Sequence, residues 1–423
     1  MKPKHILFVS YDGMTDPLGQ SQVLPYIREI TKSNYEYTLI SFEKSDRYIK
    51  FNDAISKICL ESNINWQPIR YADKIPIVST IWNVFRLQRK VFKLHNKKPF
   101  DLFHSRSHIP SLIAQKLQKT QNVPYVFDMR GFWADERVDG GVWNLSNPIF
   151  KKIFTFFKTK EIEFIEEANA IVSLTQNGKN EIYSWQHLES TPTNLKNKIL
   201  DIEVIPCCVD TNLFNHQNTN KNKIYTLKKE LEINDENFVL GYVGSIGTWY
   251  MLPEMLDFFK VLKGRLPNAI FLFITNEPAE KIKAIASSKN INTSDIIVIS
   301  CLHAEVPTYI ALFTVSIYFI LPAYSKKASS PTKQGELMAM GIPIICNANV
   351  GDADKIISET NSGWVVNKFE QQEYESITQK IISQPLPDKN TIIQHGIKEF
   401  NLQTGAEKFR KTYERILFNT PTN

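Results

Sequence analysis

The segment Ser329-Ser330-Pro331-Thr332-Lys333-Gln334-Gly335-Glu336 carries the densest chemistry in this chain. It leads from a strand pattern into a helix read over Glu336–Met340, with Pro331 near the first helical position and small hydroxyls before it, a well-marked helix start. An open helix N-terminus offers free N–H groups and the positive end of a dipole, which suit a diphosphate. Lys333 adds a point charge there, and Glu336 can accept two hydrogen bonds from vicinal hydroxyls such as those of a ribose. A plain capped helix with an acidic first turn is the competing reading. Upstream, Gly241-Tyr242-Val243-Gly244-Ser245-Ile246-Gly247-Thr248 spaces its glycines G-x-x-G-x-x-G. That is not the dinucleotide fingerprint, but it lets backbone come close to a phosphate or sugar; a plain tight turn fits as well.

Three further loops could act. Asp12–Ser21 holds Gly13 and Gly19, and Gly19-Gln20-Ser21 could present backbone amides, with a simple turn as the alternative. Asp101-Leu102-Phe103-His104-Ser105-Arg106-Ser107-His108 sets histidines and an arginine at a strand's carboxyl end. His104 could serve as acid, base or oxyanion partner, and Arg106 could hold a phosphate or carboxylate; a histidine that only caps a helix is the plainer reading. Asp128-Met129-Arg130-Gly131-Phe132-Trp133-Ala134-Asp135-Glu136-Arg137 is more charged and aromatic than a connector needs, which favours a site. Asp352-Ala353-Asp354 looks like a metal-binding D-x-D but reads better as a helix cap, since an oxygen-ligand metal site needs more carboxylates. Cys207 and Cys208 read as packing residues of a hinge.

These loops must be held by an alternation of strands and helices. Apolar strands are expected at His5–Ser10, Tyr37–Phe42, Asp101–His104, Pro124–Met129, Ala170–Thr175 and Glu203–Pro206, with a helix over about Gln20–Thr31. After a polar stretch at Asn215–Lys223 the series resumes at Asn237–Ser245, Ala269–Thr275, Ile296–Ser300, Val315–Leu321 and Ile342–Cys346. Continuous apolar strands joined by helices imply parallel sheet buried on both faces. The expected fold class is therefore α/β, with two doubly wound domains, residues 1–210 and 211–401, and a last helix, 402–418, that packs back on the first. Ligands of such sheets bind beyond the strands' carboxyl ends, so the loops above would line a cleft between the domains.

Composition narrows the class. The chain has 423 residues, 43% hydrophobic and 22% charged, which suits two or three globular domains and excludes wholesale disorder. Its five cysteines form no CxxC pair, so neither a disulfide framework nor a structural zinc site is expected. No secretory leader is read and no apolar run reaches the roughly 18 residues of a spanning helix. The expected setting is cytoplasmic, or peripheral on the inner face of the cytoplasmic membrane. Net charge is +6, from 50 Lys+Arg against 44 Asp+Glu, too mild to call for nucleic acid. The excess lies in residues 1–210, with 28 basic against 23 acidic side chains. Arg86, Arg89, Lys90, Lys93, Lys97 and Lys98 stand among Trp82, Phe85 and Phe92 without an acid, and Lys151, Lys152, Lys158 and Lys160 stand among Phe150, Phe154, Phe156 and Phe157. Such segments suit an anionic membrane surface; a solvated basic face on a packed helix is the alternative.

The Asp12–Ser21 loop, Asp128–Glu136, Ile205-Pro206-Cys207-Cys208-Val209-Asp210, Gly244-Ser245 and above all Ser330–Pro343 together resemble glycosyltransferase family 4. The resemblance covers nearly the whole chain. It implies the GT-B architecture, two Rossmann-like domains facing across a cleft, and transfer with retention from a nucleotide-diphosphate sugar to a glycan or a polyprenyl- or other lipid-linked acceptor, in bacterial surface polysaccharide or glycolipid synthesis. By the same resemblance Glu336 binds the donor ribose, Thr332 and Lys333 meet the diphosphate, Gly244, Ser245 and Gly247 lie beside the phosphates, Gly19 joins the donor-binding set, and the segment His303–Tyr309, with Val306, lies by the base. His104, Arg106, Asp128 and Arg130 are the implied catalytic group. No metal and no resident cofactor are implied, because the helix dipole and cations stabilise the leaving diphosphate. The chain departs from the family where a first glutamate usually stands, here Ala328, and where an Arg follows the first strand of the second domain, here Ser245. No Lys follows at Thr248-Trp249-Tyr250, so Lys326, Lys327 or Lys333 would compensate. The family's second histidine is Arg106 in this chain. A non-catalytic binding subunit or a sugar-nucleotide epimerase or phosphorylase are the alternatives.

Overall fold

The computed structural model describes residues 2–33, 35–185 and 201–418. The chain forms two compact units, one running to Pro206 and taking in the helix Leu402–Phe418, the other spanning Cys207–Asn401. Each is built on one fully parallel sheet.

In the first unit the strands are β1 (Lys4–Ser10), β2 (Tyr35–Glu43), β3 (Ile64–Arg70), β4 (Leu102–Arg106), β5 (Tyr125–Asp128), β6 (Ala170–Ser173) and β7 (Glu203–Val204), in the order β3-β2-β1-β4-β5-β6-β7. The central strands β1, β4, β5 and β6 are buried almost end to end, as strands covered by helices on both faces must be. Chain direction reverses at β1, so the crevice at the carboxyl ends of β1 and β4 is the switch point where such sheets bind ligands. Register places the relevant residues in one row: Ser10 lies opposite Arg106, and Arg106 opposite Asp128. The helix Leu402–Phe418 packs against Leu24–Ile30, burying Phe409 and Tyr413.

The second unit holds β8 (Phe238–Val243), β9 (Ala269–Ile274), β10 (Ile296–Ile299), β11 (Val315–Tyr318), β12 (Ile344–Asn347) and β13 (Gly363–Val366), in the order β10-β9-β8-β11-β12-β13. Its switch point lies between β8 and β11. Phe258 and Phe259 of the helix Leu252–Arg265 and Phe271 and Phe273 of β9 are fully buried in one core. Gly241 is required by packing: a Cβ there would sit 2.2 Å from the Phe313 ring.

Several local expectations change. The helix read over Gln20–Thr31 is two helices, Pro17–Gln22 and Leu24–Ile30, broken at Val23. Pro25 lacks an N–H and is tolerated only in a first turn. The helix expected at Glu336–Met340 already begins at Thr332 and runs to Ala339, with Pro331 as its cap residue rather than its first helical position. Strand β4 runs on to Arg106, so His104 lies within the strand and not in the loop beyond it. Strands β3 and β13, which the sequence pattern does not reveal, are edge strands. β3 contains Pro68 and buries only two of its seven residues, and Pro within sheets is confined to edge strands of this kind.

Candidate functional site

Two constellations stand at the carboxyl ends of the two sheets. In the first unit the chain leaves both β4 and β5 through left-handed backbone at non-glycine residues, Ser107 at φ 73° and Arg130 at φ 55°, followed by Gly131 at φ 113°. Ser107, with ψ −176°, occupies a region that costs a side-chain-bearing residue about 1–3 kcal/mol. Its N–H donates to Asp128 O at 2.7 Å, which ties the two loops together. Arg106 is buried, and its Nη1 donates to Asp12 Oδ2 at 2.6 Å. Asp128 is buried as well, with its Oδ1 3.9 Å from Arg130 Nη1 and its Oδ2 3.4 Å from His104 Nε2. Burial alone would raise the Asp128 pKa, but Arg130, His104 and Arg106 together hold the carboxyl below its ordinary value.

His104 is fully buried, stacked on Phe8 and flanked by Phe409 and Tyr413. Burial depresses its pKa against the pull of Asp128, so the ring is neutral near pH 7. An ionised Asp128 can only accept, which assigns the proton to Nε2 and leaves Nδ1 to accept from Tyr413 Oη at 2.6 Å. His104 thus lies inside the fold rather than in a loop, and it fixes Asp128. The structure brings Arg106, Asp128 and Arg130 together.

Gly19 is buried in Pro17–Gln22, where a Cβ would lie 2.1 Å from Gly13 O, so its smallness serves packing of the helix on the loop. Two amides of that loop are taken internally: Glu43, at the end of β2, accepts from Met14 N at 2.8 Å, Thr15 N at 3.1 Å and Thr15 Oγ1 at 2.5 Å, and from Ser41 Oγ at 2.5 Å. A second buried charged group lies nearby. Glu161 accepts from His108 Nε2 at 2.7 Å and from Lys158 at 2.5 Å, and Lys158 also reaches Asp135 at 2.8 Å.

The second unit is arranged differently. β8 ends in a turn at Gly244, whose φ of +107° favours glycine, and Tyr242 Oη donates to Ser245 O at 2.6 Å, closing that turn. Ser245 and Gly247 are exposed, and Gly247 has open space around it. Across from the turn stands the N-terminus of Thr332–Ala339. Ser330 just ahead of it accepts from Cys207 N at 3.1 Å, and Thr332 is half-buried. Lys333 brings the two segments together: its Nζ lies 3.4 Å from where a Gly244 Cβ would be.

Lys333 is held in a cage of tyrosines. Its Nζ donates to Tyr242 Oη at 2.9 Å and lies 4.0 Å and 3.7 Å from the ring centroids of Tyr242 and Tyr250. Burial pushes its pKa well below the ordinary lysine value, with Glu336 pulling the other way, and pushes the Tyr250 hydroxyl up to about 12. Two ring faces are worth about 2 kcal/mol to a desolvated cation, less than the several kcal/mol of desolvating an ammonium. No carboxylate among the described residues forms an ion pair with it. Glu336 lies one turn along the helix, mostly buried, with its Oε1 3.8 Å from His303 Nε2. The two sequence motifs at Gly244 and Ser329–Glu336 therefore converge on one spot.

Val306 places its side chain in the core of the second unit, at the start of the short helix Val306–Ile310. His303 rather than Val306 faces Glu336. Asp352 makes no side-chain cap, and Asp354 instead accepts from Asn349 N at 2.9 Å. Among the described residues no group of three or more His, Cys, Asp or Glu could hold a metal ion. Cys207 and Cys208 are buried and not disulfide-bonded. Glu43, Tyr413 and the tyrosine cage were not singled out from sequence. An acid ending an apolar strand is a usable signal for Glu43; Tyr413 lies 309 residues from His104 and offers none.

Comparison with known proteins agrees with this architecture. Residues 224–399 match the family described as Glycosyl transferases group 1, a segment that contains Gly244, His303, Lys333 and Glu336. No curated protein sequence matches the chain significantly. Among solved structures, a glycosyltransferase from Rickettsia africae ESF-5 is similar at TM-score 0.69 and 15% identity over 99% of this chain and 100% of that one. WaaG, a glycosyltransferase involved in lipopolysaccharide biosynthesis, aligns at TM-score 0.65 and 13% identity over 98% and 100%. Anabaena Alr3699/HepE in complex with UDP and glucose aligns at TM-score 0.66 and 12% identity over 97% and 99%. At such identities these likenesses show the fold: two parallel-sheet, Rossmann-like α/β domains of the GT-B type.

Proposed function

We propose that this chain, which carries a group 1 glycosyltransferase domain, is a retaining, metal-independent glycosyltransferase. It moves a sugar from a nucleotide-diphosphate donor to a glycan or lipid-linked acceptor in bacterial surface polysaccharide or glycolipid synthesis, working in the cytoplasm or at the inner, anionic face of the membrane. The observation that carries the reading is the convergence of the Gly244 turn, Lys333 and Glu336 at the open end of the second sheet. Glu336 accepts from the ribose hydroxyls. The Lys333 ammonium and the first amides of Thr332–Ala339 meet the diphosphate, and the helix dipole and that cation stabilise its charge as it leaves. In transfer with retention the bond from the anomeric carbon to the phosphate oxygen breaks, and the acceptor oxygen bonds to the same face. The acceptor's proton passes to the departing phosphate oxygen. Arg106, Arg130 and Asp128 in the first unit orient the acceptor. Neighbours that bind UDP with glucose or UDP-2-fluoro glucose support a nucleotide-sugar donor of this kind.

The test is a nucleotide-sugar panel incubated with acceptor extract, read by product formation. Nucleotide release without any transferred sugar weighs against a transferase, and loss of all nucleotide binding favours a non-catalytic subunit. Within an active pair, Glu336→Ala is expected to lower kcat/KM by about 100-fold, since hydrogen bonds to a charged group are worth about 1.5–3 kcal/mol each. Unchanged kinetics with every active donor would remove Glu336 from the donor site.

A further inference from the structure

The helix Pro76–Lys97 faces solvent with the wrong residues. Its inner side is ordinary: Ser79, Asn83, Leu87, Val91 and His95 are buried at helical spacing. Its outer side is not. Ile75, which precedes it, and Val78, Ile81, Trp82 and Phe85 are between 44% and 65% exposed, and Trp82 stacks on Phe85 at 5.7 Å. The same face then continues through Arg89, Lys93 and Lys97, all exposed, at the three- and four-residue spacing that keeps side chains in one stripe. No acid occurs anywhere in the helix. A helix that serves only to cover a sheet turns polar residues outward along its whole length.

A second helix repeats the pattern. Pro148–Glu167 carries no acid before Glu161, exposes Ile149 and Phe156, and sets Lys151 and Lys152 in solvent. The two surfaces adjoin: Val84 of the first helix and Ile153 and Phe154 of the second pack on one small core of Ile109, Ala134 and Phe157. Val142, 55% exposed, projects from the loop between. The first helix leads with its N-terminal half toward the carboxyl ends of the strands. The contact that shows it is Asn83 Nδ2 to Tyr11 Oη at 3.1 Å, just past the end of β1. This is the edge that carries Arg106 and Asp128.

We propose that this two-helix surface docks on an anionic lipid bilayer. Ile81, Trp82 and Phe85 enter the boundary of the acyl region, and Arg89, Lys93, Lys151 and Lys152 lie at the level of the phosphates. Cations of one sign beside exposed aromatic and aliphatic side chains fit that boundary, and a protein partner with acidic residues is the outcome the test must exclude. Among the described residues no helix is long and apolar enough to cross a membrane, so the surface lies on the bilayer. The position refines the expectation drawn from the basic run. Lys98 is paired with Glu36 and Arg86 Nη1 donates to Arg70 O at 2.7 Å, so these two are engaged within the fold and the apolar turns ahead of them take the leading part. The inference rests on the glycosyltransferase reading only in its consequence. A site edge held against headgroups would receive a lipid-linked acceptor without drawing it into water.

Full-length protein is to be sedimented with vesicles of neutral phosphatidylcholine and with vesicles containing 30% phosphatidylglycerol, about 30 mol% being a strongly anionic surface. Binding is expected only to the anionic vesicles and is expected to weaken with salt. The pair Trp82→Asp with Phe85→Asp, and separately Arg89→Glu with Lys93→Glu, should each lower the partition at least about 10-fold, a basic residue near such a surface being worth about fivefold. Lys98→Ala should change it by less than about 2-fold. All five positions are exposed, and unchanged melting temperatures confirm the fold. Absence of vesicle binding, equal binding to neutral vesicles, or variants that bind like the parent each overturn the proposal. So does a self-association that the Trp82–Phe85 pair abolishes in a protein that ignores vesicles. Nucleotide binding measured on the same samples separates the two ideas, because it tests the donor site and is indifferent to this surface.

Discussion

The two switch points solve opposite electrostatic problems. In the first unit Arg106 pairs with Asp12 and Asp128 with Arg130, and the neutral His104 ring adds a hydrogen bond to Asp128. The Glu43 carboxylate accepts from the amides of Met14 and Thr15. In the second unit Lys333 is buried with a neutral hydroxyl and two rings for company. The first arrangement pairs its cations with carboxylates and suits a surface that orients a neutral hydroxyl-bearing acceptor. The second carries a desolvation cost that a bound anion would relieve, and so suits a diphosphate. Similar sheets thus carry sites of different character because the charges at their ends are balanced in one and unbalanced in the other.

Removing a charge should therefore have opposite signs in the two units. Asp128→Ala leaves Arg130 beside a vacated buried position and deprives His104 of the group that fixes its proton. Breaking a buried pair costs about 3–5 kcal/mol, and thermal or chemical denaturation should show a loss of that order. The depressed Asp128 pKa gives the same pair an acid limit. The unfolded carboxylate takes up protons first as pH falls, so its contribution is full above the ordinary Asp value and disappears as pH drops through the lower folded value. A loss below about 1 kcal/mol at pH 7, in the surface-pair range, would show that the first site is not held by its ion pairs and would erase the contrast.

Much of this was legible in the sequence, for reasons that differ by element. The buried central strands announce themselves because both faces are apolar, so β1, β5, β8 and β9 stand out as continuous runs. The edge strands β3 and β13 bury less; β3 carries Pro68, which reads against a strand, and β13 is only four residues long. Neither offers the long apolar run of the central strands. At the site, Gly244, Lys333 and Glu336 were readable because helix starts and glycine turns are local events with local signatures. The place of His104 inside a strand was not readable, because only the fold reveals that β4 continues past it. The partner that fixes it comes from the far end of the chain, and no spacing rule spans that distance. The packing of Val306 and Gly19 was hidden for the same reason.

Lys333→Met is expected to act in the other direction from Asp128→Ala. An apolar side chain of similar length satisfies the cage without a charge, so stability should rise by about 1 kcal/mol at pH 7, in line with gains from replacing buried ionic groups. The pH dependence gives the sign. Below 10.5 the unfolded lysine is protonated while the folded one, its pKa depressed, binds fewer protons. Stability of the parent therefore falls as pH drops from 10.5 toward the folded value, and the advantage of the variant widens over that range. Binding of a nucleotide diphosphate should weaken in the same variant. A Met variant that is less stable at every pH would mean that the cage prefers its cation.

The smallest effect is expected at Tyr413, and it tests whether the two sites are energetically separate. Tyr413→Phe removes one hydroxyl from the Tyr413–His104–Asp128 chain and leaves His104 Nδ1 unpaired in the core, worth about 1 kcal/mol of stability. Asp128 still accepts from Nε2, so the ring keeps its tautomer but loses one of its two restraints. In a transferase assay the consequence should fall on turnover, by a few-fold, through a less firmly held Asp128 and Arg130. The donor's KM should not move, since Lys333 and Glu336 lie in the other unit and share no partner with Tyr413. A Lys333→Met variant should show the reverse split. If Tyr413→Phe raised the donor KM as much as it lowered kcat, the balanced site would be setting donor affinity, and the division of labour between the units would have to be redrawn.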